Sequence, residues 1–562
     1  MTKKSRIKVS LFVGIPFLGI GIFILWFNIA TRITPPVIKN RSALEWERKQ
    51  TGDAFFSIGK NKLQKSESGL WEMYVEGDGF ERGAVFGKLT KELIYEQEKA
   101  FMDQIKILVP DEFYLKFLKY LLAIFNRGMD NYIPEEYLNE IYGISFSHPD
   151  TFDFVGEKYN RVLNYHAAHD IGHAMRQYML VGCTSFSVNG NLSEDSSMII
   201  GRNFDFYVGD DFAKNKIVAF FNPDSGHKFM TVTWPGFIGA VSGMNEHGLT
   251  VTLNAAASAP PTSTKTPIAL LAREILQYAS TIDEAFAIAR RRETFVSETI
   301  MIGSAMDNKT ALIEKSPKKT ALFYSGTEKT ICSNHYQSAA FADDDMNLEN
   351  IRTSDSPYRF QRTEELIFLS EKLTPEKTAA ILRNQKGTGE TDLGYGNQKS
   401  INQLIAHHSV IFKPSERKVW VSSSPYQLGE FICYDLRKVF KEFPELTEKT
   451  RISTDEENIP ADPFLYTSAY RGYEHFRKLK NYIQWFTVHA EFELPEHVLT
   501  AFEGANPKFY HTHEMLGNYH KAHKNYQVAE RHYNHALALE IATLTEKENI
   551  EKKRDYCRKK VK

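Results

Sequence analysis

An α+β fold of stacked helical and sheet layers is what this 562-residue sequence predicts, on three observations. Helical periodicity dominates before Gly182, short alternating runs take over after it, and helical periodicity returns beyond about Phe443. Two helical segments, residues 268–290 and 359–371, separate groups of strands. Strands with helices grouped between them stack as α and β layers rather than as an all-β sandwich. The chain is also too long for one ordinary core, so two or three folded regions are expected.

In chain order, the first landmark is a basic tail, residues 1–8, with Lys3, Lys4, Arg6 and Lys8. An uncharged run, 9–30, follows, and as a helix it spans about 33 Å, enough to cross a bilayer core. The basic side stays cytoplasmic, so the rest lies on the periplasmic or extracellular side of a single-pass anchor. A cleaved signal sequence is the competing reading, which Asn28 fits poorly. Residues 31–69, with Pro35-Pro36, read as a polar linker. Residues 70–182 read as a helical region, with apolar spacing over 91–109, 113–127, 135–142 and 159–181. Residues 183–443 carry the short strands, among them 184–188, 197–200, 217–221, 250–253, 299–302, 410–412 and 419–422. Residues 444–562 are helical, and Leu516-Gly517, Ala529, Tyr533 and Ala536-Leu537 fall at tetratricopeptide-type offsets. One clear copy cannot bury its own face, so this extension caps the domain or receives a protein partner.

Charge narrows the function classes. Lys plus Arg total 69 against 70 for Asp plus Glu, which gives no electrostatic reason to expect a nucleic acid. Four cysteines in such a length make no disulfide framework, and one of them is placed for chemistry.

That one is Cys183, in Val181-Gly182-Cys183-Thr184-Ser185-Phe186, at a helix-to-strand change. Its thiolate could attack the Gly182 carbonyl and release the upstream segment, leaving a free α-amine on Cys183. An α-amine has a pKa of about 7.7–8.0, near enough to the thiol's to accept its proton at neutral pH. Nucleophile and base then share one residue. Arg202 and Asp205 follow in Gly201-Arg-Asn-Phe-Asp-Phe206, then Ser242-Gly-Met-Asn-Glu-His-Gly-Leu249, Leu253-Asn254, Cys332-Ser-Asn334-His335 and Asp355-Ser-Pro-Tyr-Arg359.

Together these motifs resemble the penicillin acyltransferase-type (C45) N-terminal-nucleophile hydrolases, relatives of bile salt hydrolase and acid ceramidase. The resemblance covers residues 73–436. It implies a four-layer αββα sandwich and acyl transfer from a small acylated amide through a thioester, with no cofactor and no metal. By the resemblance Cys183 is the nucleophile and Gly182–Cys183 the cleaved bond. Arg202 and Asp205 lie beside the nucleophile, Asn254 donates to the oxyanion, Asn334 is a second polar contact, and Arg359 is a supporting arginine. Arg362 competes with Arg359, because the register of that segment is open. The long upstream segment with its anchor and the carboxy-terminal helices depart from simpler relatives.

Three rival readings remain at this stage. His166, His169 and His173, beside Asp170, share a helical face and could seat zinc, although no glutamate stands between paired histidines as a zinc peptidase requires. A thiol peptidase could pair Cys183 with His335 and need no cut. A membrane-anchored scaffold without catalysis could use the helical tail to bind a partner.

Overall fold

Alternating apolar residues sort the strand-rich sequence into two sheets with one face each turned inward. The strands are β1 (Lys49–Gln50), β2 (Phe55–Ile58), β3 (Asn61–Lys65), β4 (Trp71–Gly77), β5 (Leu180–Val188) and β6 (Ile199–Tyr207). They continue as β7 (Ile217–Pro223), β8 (Phe229–Thr233), β9 (Ser242–Asn245), β10 (Leu249–Ala255), β11 (Glu298–Ser304) and β12 (Lys309–Lys315). The remainder are β13 (Thr320–Phe323), β14 (Lys329–Cys332), β15 (His408–Lys413), β16 (Lys418–Ser422) and β17 (Phe431–Asp435). The larger sheet runs β1-β2-β3-β4-β7-β8-β9-β10-β11-β12-β13, and the smaller β14-β5-β6-β15-β16-β17. This computed structural model describes residues 22, 25–27, 29–109, 111–174, 180–257, 259, 261, 263–405 and 407–561.

Side-chain parity fixes the layers. Met73, Val75, Ala219 and Phe221 pack under helices Gly79–Leu89, Glu135–Ser145 and Ile268–Tyr278. Their neighbours Tyr74, Val218 and Phe220 face the other way and meet Val410, Phe412, Val419 and Val421 of the smaller sheet. On that sheet's far side, Ile411, Trp420 and Phe431 pack beneath Ile367 of helix Ser356–Leu369 and Ile381 of helix Pro375–Leu382. The order is helix, sheet, sheet, helix, the αββα arrangement expected.

Residues 31–69 are not the linker their composition predicts, while helices Gly79–Leu89, Lys91–Leu108, Glu112–Phe125, Glu135–Ser145 and Lys158–Ala174 fill most of the expected 70–182 helical region. Residues 31–69 contribute β1, β2 and β3, and β4 pairs in parallel with β7 from Trp71↔Ile217 to Gly77↔Pro223. Polar residues such as Asn61, Lys62 and Gln64, buried in β3, read as linker because local composition does not register pairing with a distant strand. Packing joins the two segments further. Helices Gly79–Leu89 and Glu135–Ser145 cross at glycines: a Cβ on Gly83 would stand 1.9 Å from the Glu140 carbonyl oxygen. Buried Glu140 accepts from Arg82 at 2.9 Å and from Arg273, on the far side of Cys183, at 2.8 Å.

The 9–30 segment lies mostly outside the described residues, as does the end of the 159–181 stretch. Among the described residues no helix is long and apolar enough to cross a membrane.

Beyond β17, helices Ser468–Val488, Glu496–Ala505, Tyr510–Ala522, Tyr526–Leu537 and Leu544–Val561 form a separate core. Leu516, Ala529, Tyr533 and Ala536 are buried there, and Gly517 lets the Tyr533 ring come within 2.6 Å of where a Cβ would sit. This bundle grips the sandwich layers through reciprocal amide bonds: Asn506 accepts from the Tyr395 N–H at 3.0 Å and donates to its carbonyl at 2.8 Å.

Candidate active site

Strands β5 and β6 lie side by side in the middle of the smaller sheet and hold most of the expected site. Their register sets Cys183 opposite Phe204, Ser185 opposite Arg202 and Gly182 opposite Asp205. Alternation then divides the residues between two faces. Cys183, Ser185, Arg202 and Phe204 look toward the larger sheet, while Gly182, Thr184 and Asp205 look toward the outer helices.

On the inner face a guanidinium meets the thiol. Arg202 Nη2 lies 3.7 Å from Cys183 Sγ and also donates to the Leu253 carbonyl, and Nη1 donates to Ser242 Oγ at 2.6 Å. Its plane covers the Phe204 ring at 4.3 Å, so the cation is locked from both sides. Burial pushes the Cys183 thiol up to about 11, and Arg202 opposes that rise. Asn254, from β10, accepts from Ser185 Oγ at 2.7 Å and donates one amide N–H to the Cys332 carbonyl at 3.0 Å. An amide NH₂ carries two donors, and the Cys332 carbonyl takes one of them.

On the outer face Arg359 is the organiser. From helix Ser356–Leu369 it donates to the Cys183 carbonyl at 2.7 Å, Thr184 Oγ1 at 3.0 Å and Asn334 Oδ1 at 2.8 Å, and its Nε pairs with Asp355 at 3.2 Å. Asn334 Oδ1 in turn accepts the Cys183 backbone N–H at 3.0 Å. The nitrogen that a cut would free is thus already held. The open register is settled here, because Arg362 instead pairs with Glu365 and Glu390 and takes no part.

Asp205 is fully buried, and burial pushes its carboxyl up to about 7 against the pull of Arg359 and Arg202. Gln427 donates to its Oδ1 at 3.5 Å, and Oδ2 has no hydrogen-bond partner among the described residues. Gly182 is required by space: a Cβ there would stand 2.6 Å from Gln403 Nε2 and 3.5 Å from Arg359 Nη2.

Sequence reading singled out Cys183, Arg202, Asp205, Asn254, Asn334 and Arg359, and the fold brings all six together. Ser242, Gln403 and Gln427 were missed. Ser242 opens a motif already noted and could have been found, whereas the two glutamines sit in loops without pattern. Behind Ser242, His408 Nε2 lies 2.9 Å from its hydroxyl, and His407 Nδ1 lies 2.9 Å from His408 Nδ1.

The rival bases and ligands are otherwise engaged. His335 Nδ1 lies 2.7 Å from Ser356 Oγ, and burial with the nearby Arg359 holds the ring down to about 4. His166 spends both ring nitrogens, Nδ1 on the Val162 carbonyl at 2.8 Å and Nε2 accepting from the Ile238 N–H at 3.0 Å. It therefore offers a metal nothing, and the expected zinc face fails at its first member. The side chains of His169 and His173 fall outside the described residues.

Two strand residues along from Phe204, the ring of Phe206 opens an apolar recess of about 50 Å³ lined also by Phe101, Phe212, Trp234 and Phe237. A cavity of about 800 Å³ lies elsewhere, between Trp46, Lys60, Glu76 and Asp224, and touches none of these residues.

Residues 192–425 match the family described as acyl-coenzyme A:6-aminopenicillanic acid acyl-transferase, the family the motifs resemble. The match includes Arg202, Asp205, Asn254, Asn334 and Arg359 and begins nine residues after Cys183. A protein of Archaeoglobus fulgidus described as uncharacterized is 24% identical over 277 residues, which are 46% of this chain and 45% of its own. Protein dcd1B of Dictyostelium discoideum is 22% identical over 404 residues, 66% of this chain and 75% of its own. The chain thus spans about half the length of the first of these relatives. Among solved structures, the Caenorhabditis elegans N-acylethanolamine-hydrolyzing acid amidase ortholog aligns with TM-score 0.31 and 16% identity, over 42% of this chain and 93% of that one. A mutant of the conjugated bile acid hydrolase from Clostridium perfringens aligns with TM-score 0.31 and 12% identity, over 48% and 96%.

Proposed function

We propose that this chain, whose residues 192–425 carry the acyl-coenzyme A:6-aminopenicillanic acid acyl-transferase pattern, cuts itself before Cys183 and then works as an amide hydrolase or acyltransferase. One observation carries the reading: the Cys183 thiol lies beside a buried guanidinium while its backbone nitrogen is held by Asn334. In the first step the sulfur attacks the Gly182 carbonyl, the C–N bond breaks, and the departing nitrogen takes the thiol proton to become an amine. Water then hydrolyses the Gly182 thioester, leaving a carboxylate on Gly182 and a free thiol on Cys183. The new α-amine stays between Asn334 and the Asp205 carboxylate, and serves as the base in every later turnover.

With substrate, Cys183 attacks an amide carbonyl, Asn254 donates to the developing oxyanion, and the amine leaves with the proton. Water or a second amine resolves the acyl-thioester. The upstream segment stays bound after the cut, because β4 pairs with β7 and Glu140 bridges Arg82 and Arg273. The run 9–30 then tethers the pair to a membrane with the catalytic layers outside the cytoplasm.

Intact mass spectrometry of the purified chain beside Cys183→Ala tests maturation: two fragments are expected from the first and one chain from the second. Active material that remains a single chain would sink the proposal. A panel of N-acyl amides differing in acyl length then reads substrate class on the processed protein.

A further inference from the structure

Far from the thiol, the carboxy-terminal bundle holds a ladder of imidazoles between two helices. His513 and His520 lie seven residues apart on Tyr510–Ala522, and His532 and His535 lie on Tyr526–Leu537. The rings stand face to face: His513 to His535 at 3.7 Å and His520 to His532 at 5.4 Å between centroids. At one end Glu503, from helix Glu496–Ala505, reaches the same spot. Ligand atoms of Glu503, His513 and His535 all lie within 4.8 Å of one another.

The protonation of His513 makes this contact informative. Its Nε2 lies 2.9 Å from the Pro507 carbonyl, which can only accept, so Nε2 carries the hydrogen. In the neutral ring Nδ1 is then a bare lone pair, and it faces the Glu503 carboxylate at 3.6 Å. Two acceptors point at each other with no hydrogen between them. His513 is fully buried, and its Nδ1 has no hydrogen-bond partner among the described residues. Protonating Nδ1 would relieve the clash, but burial and the neighbouring His535 disfavour a charged ring here, against the pull of Glu503. The neighbouring His520 and His532 are held neutral in the same way, chiefly by burial.

We propose that Glu503, His513 and His535 bind a divalent transition-metal ion of the zinc type, which ties three consecutive helices of the bundle together. One carboxylate oxygen, two neutral imidazole nitrogens and a water complete a tetrahedral shell suited to a borderline-soft cation. A Zn–N length of about 2.0–2.1 Å needs the ligand atoms to close from their present spacing. His535 is exposed and Glu503 only partly buried, so both can turn inward, while buried His513 stays as the fixed point.

The test uses the full-length chain carrying Cys183→Ala, so that the catalytic thiol cannot bind metal and the outcome is independent of the proposed activity. After chelator treatment, zinc chloride is titrated by calorimetry and cobalt(II) is followed by its visible absorption. One ion per chain is expected, with a tetrahedral cobalt spectrum and a raised melting temperature. His535→Ala and Glu503→Gln should each weaken zinc by about 10- to 100-fold or more, the cost of even an indirect partner. His227, Glu246 and His247 form a second such group, and His247→Ala there should leave zinc binding unchanged. Because His513→Ala could unfold the bundle, the exposed His535 carries the decision. Absence of zinc binding, or binding indifferent to His535→Ala, overturns the site.

Discussion

The two faces of β5 and β6 are built in different ways. The inner face, with Cys183, Arg202, Ser185 and Asn254, is assembled from neighbouring strands, and each polar group has a close strand-borne partner. The outer face, with Gly182, Thr184 and Asp205, is completed by one helix and two loops, through Arg359, Gln403 and Gln427. In the function proposed above, chemistry on sulfur would belong to the first face, and control of the bond to be cut and its nitrogen to the second. Variants on the two faces should therefore fail in separable ways.

The largest effect is expected from the inner face. Arg202→Met removes the cation that opposes the raised thiol pKa, and kcat/KM on an N-acyl amide should fall roughly 10²- to 10³-fold. Arg202→Lys should recover only part, since one ammonium cannot serve Ser242, the Leu253 carbonyl and Sγ together. Alkylation of Cys183 by iodoacetamide should slow in the same order. Normal alkylation in Arg202→Met would break the division between the faces.

The next effect separates stability from function on the outer face. Asp205 in the uncut chain has a carboxyl raised to about 7, whereas an unfolded aspartate titrates near 3.9. As pH rises above about 4 the unfolded chain ionises this group while the folded chain keeps it protonated. Stability therefore falls between pH 4 and 7 and levels above 7. Asp205→Asn in a Cys183→Ala background should remove that slope and gain on the order of 3 kcal/mol at pH 8 in urea unfolding. In the wild-type background the same change should cost activity, because the new amine loses its carboxylate. Equal urea midpoints at pH 8 would mean that Asp205 is already ionised and paired.

Legibility in the sequence follows that division only in part. Arg202 of the inner face and Asp205 of the outer face came together in Gly-Arg-Asn-Phe-Asp-Phe, and Asn254 in Leu-Asn, because these short contiguous patterns carry the family resemblance. The choice between Arg359 and Arg362 could not be read, because both are buried on one helix and only tertiary contacts tell them apart. Gln403 and Gln427 were invisible for a stronger reason. Their loops carry no periodicity and are held by the distant carboxy-terminal bundle, with Tyr473 donating to the Leu404 carbonyl at 3.5 Å beside Gln403. The layers were legible from texture alone, but β1, β2 and β3 were hidden, since such short strands, rich in polar residues, have linker-like composition.

The smallest effect is the most local and tests the outer face directly. Gly182 leaves room for the Gln403 amide, which lies within 2.6 Å of where a Cβ would project. Gly182→Ala forces that amide away and crowds Arg359, which positions the Cys183 carbonyl, so self-cleavage should slow about tenfold, the cost of a barrier raised by about 1.4 kcal/mol. Gln403→Ala alone should change cleavage little, because its Nε2 has no hydrogen-bond partner among the described residues. Combined, the two should nearly cancel, since the shortened side chain vacates the space the new methyl needs, and neighbours of this kind are where additivity fails. Cleavage is read as the fraction of cut chain over time after refolding. A double variant as slow as Gly182→Ala would shift the cause from this contact to the backbone of the bond itself.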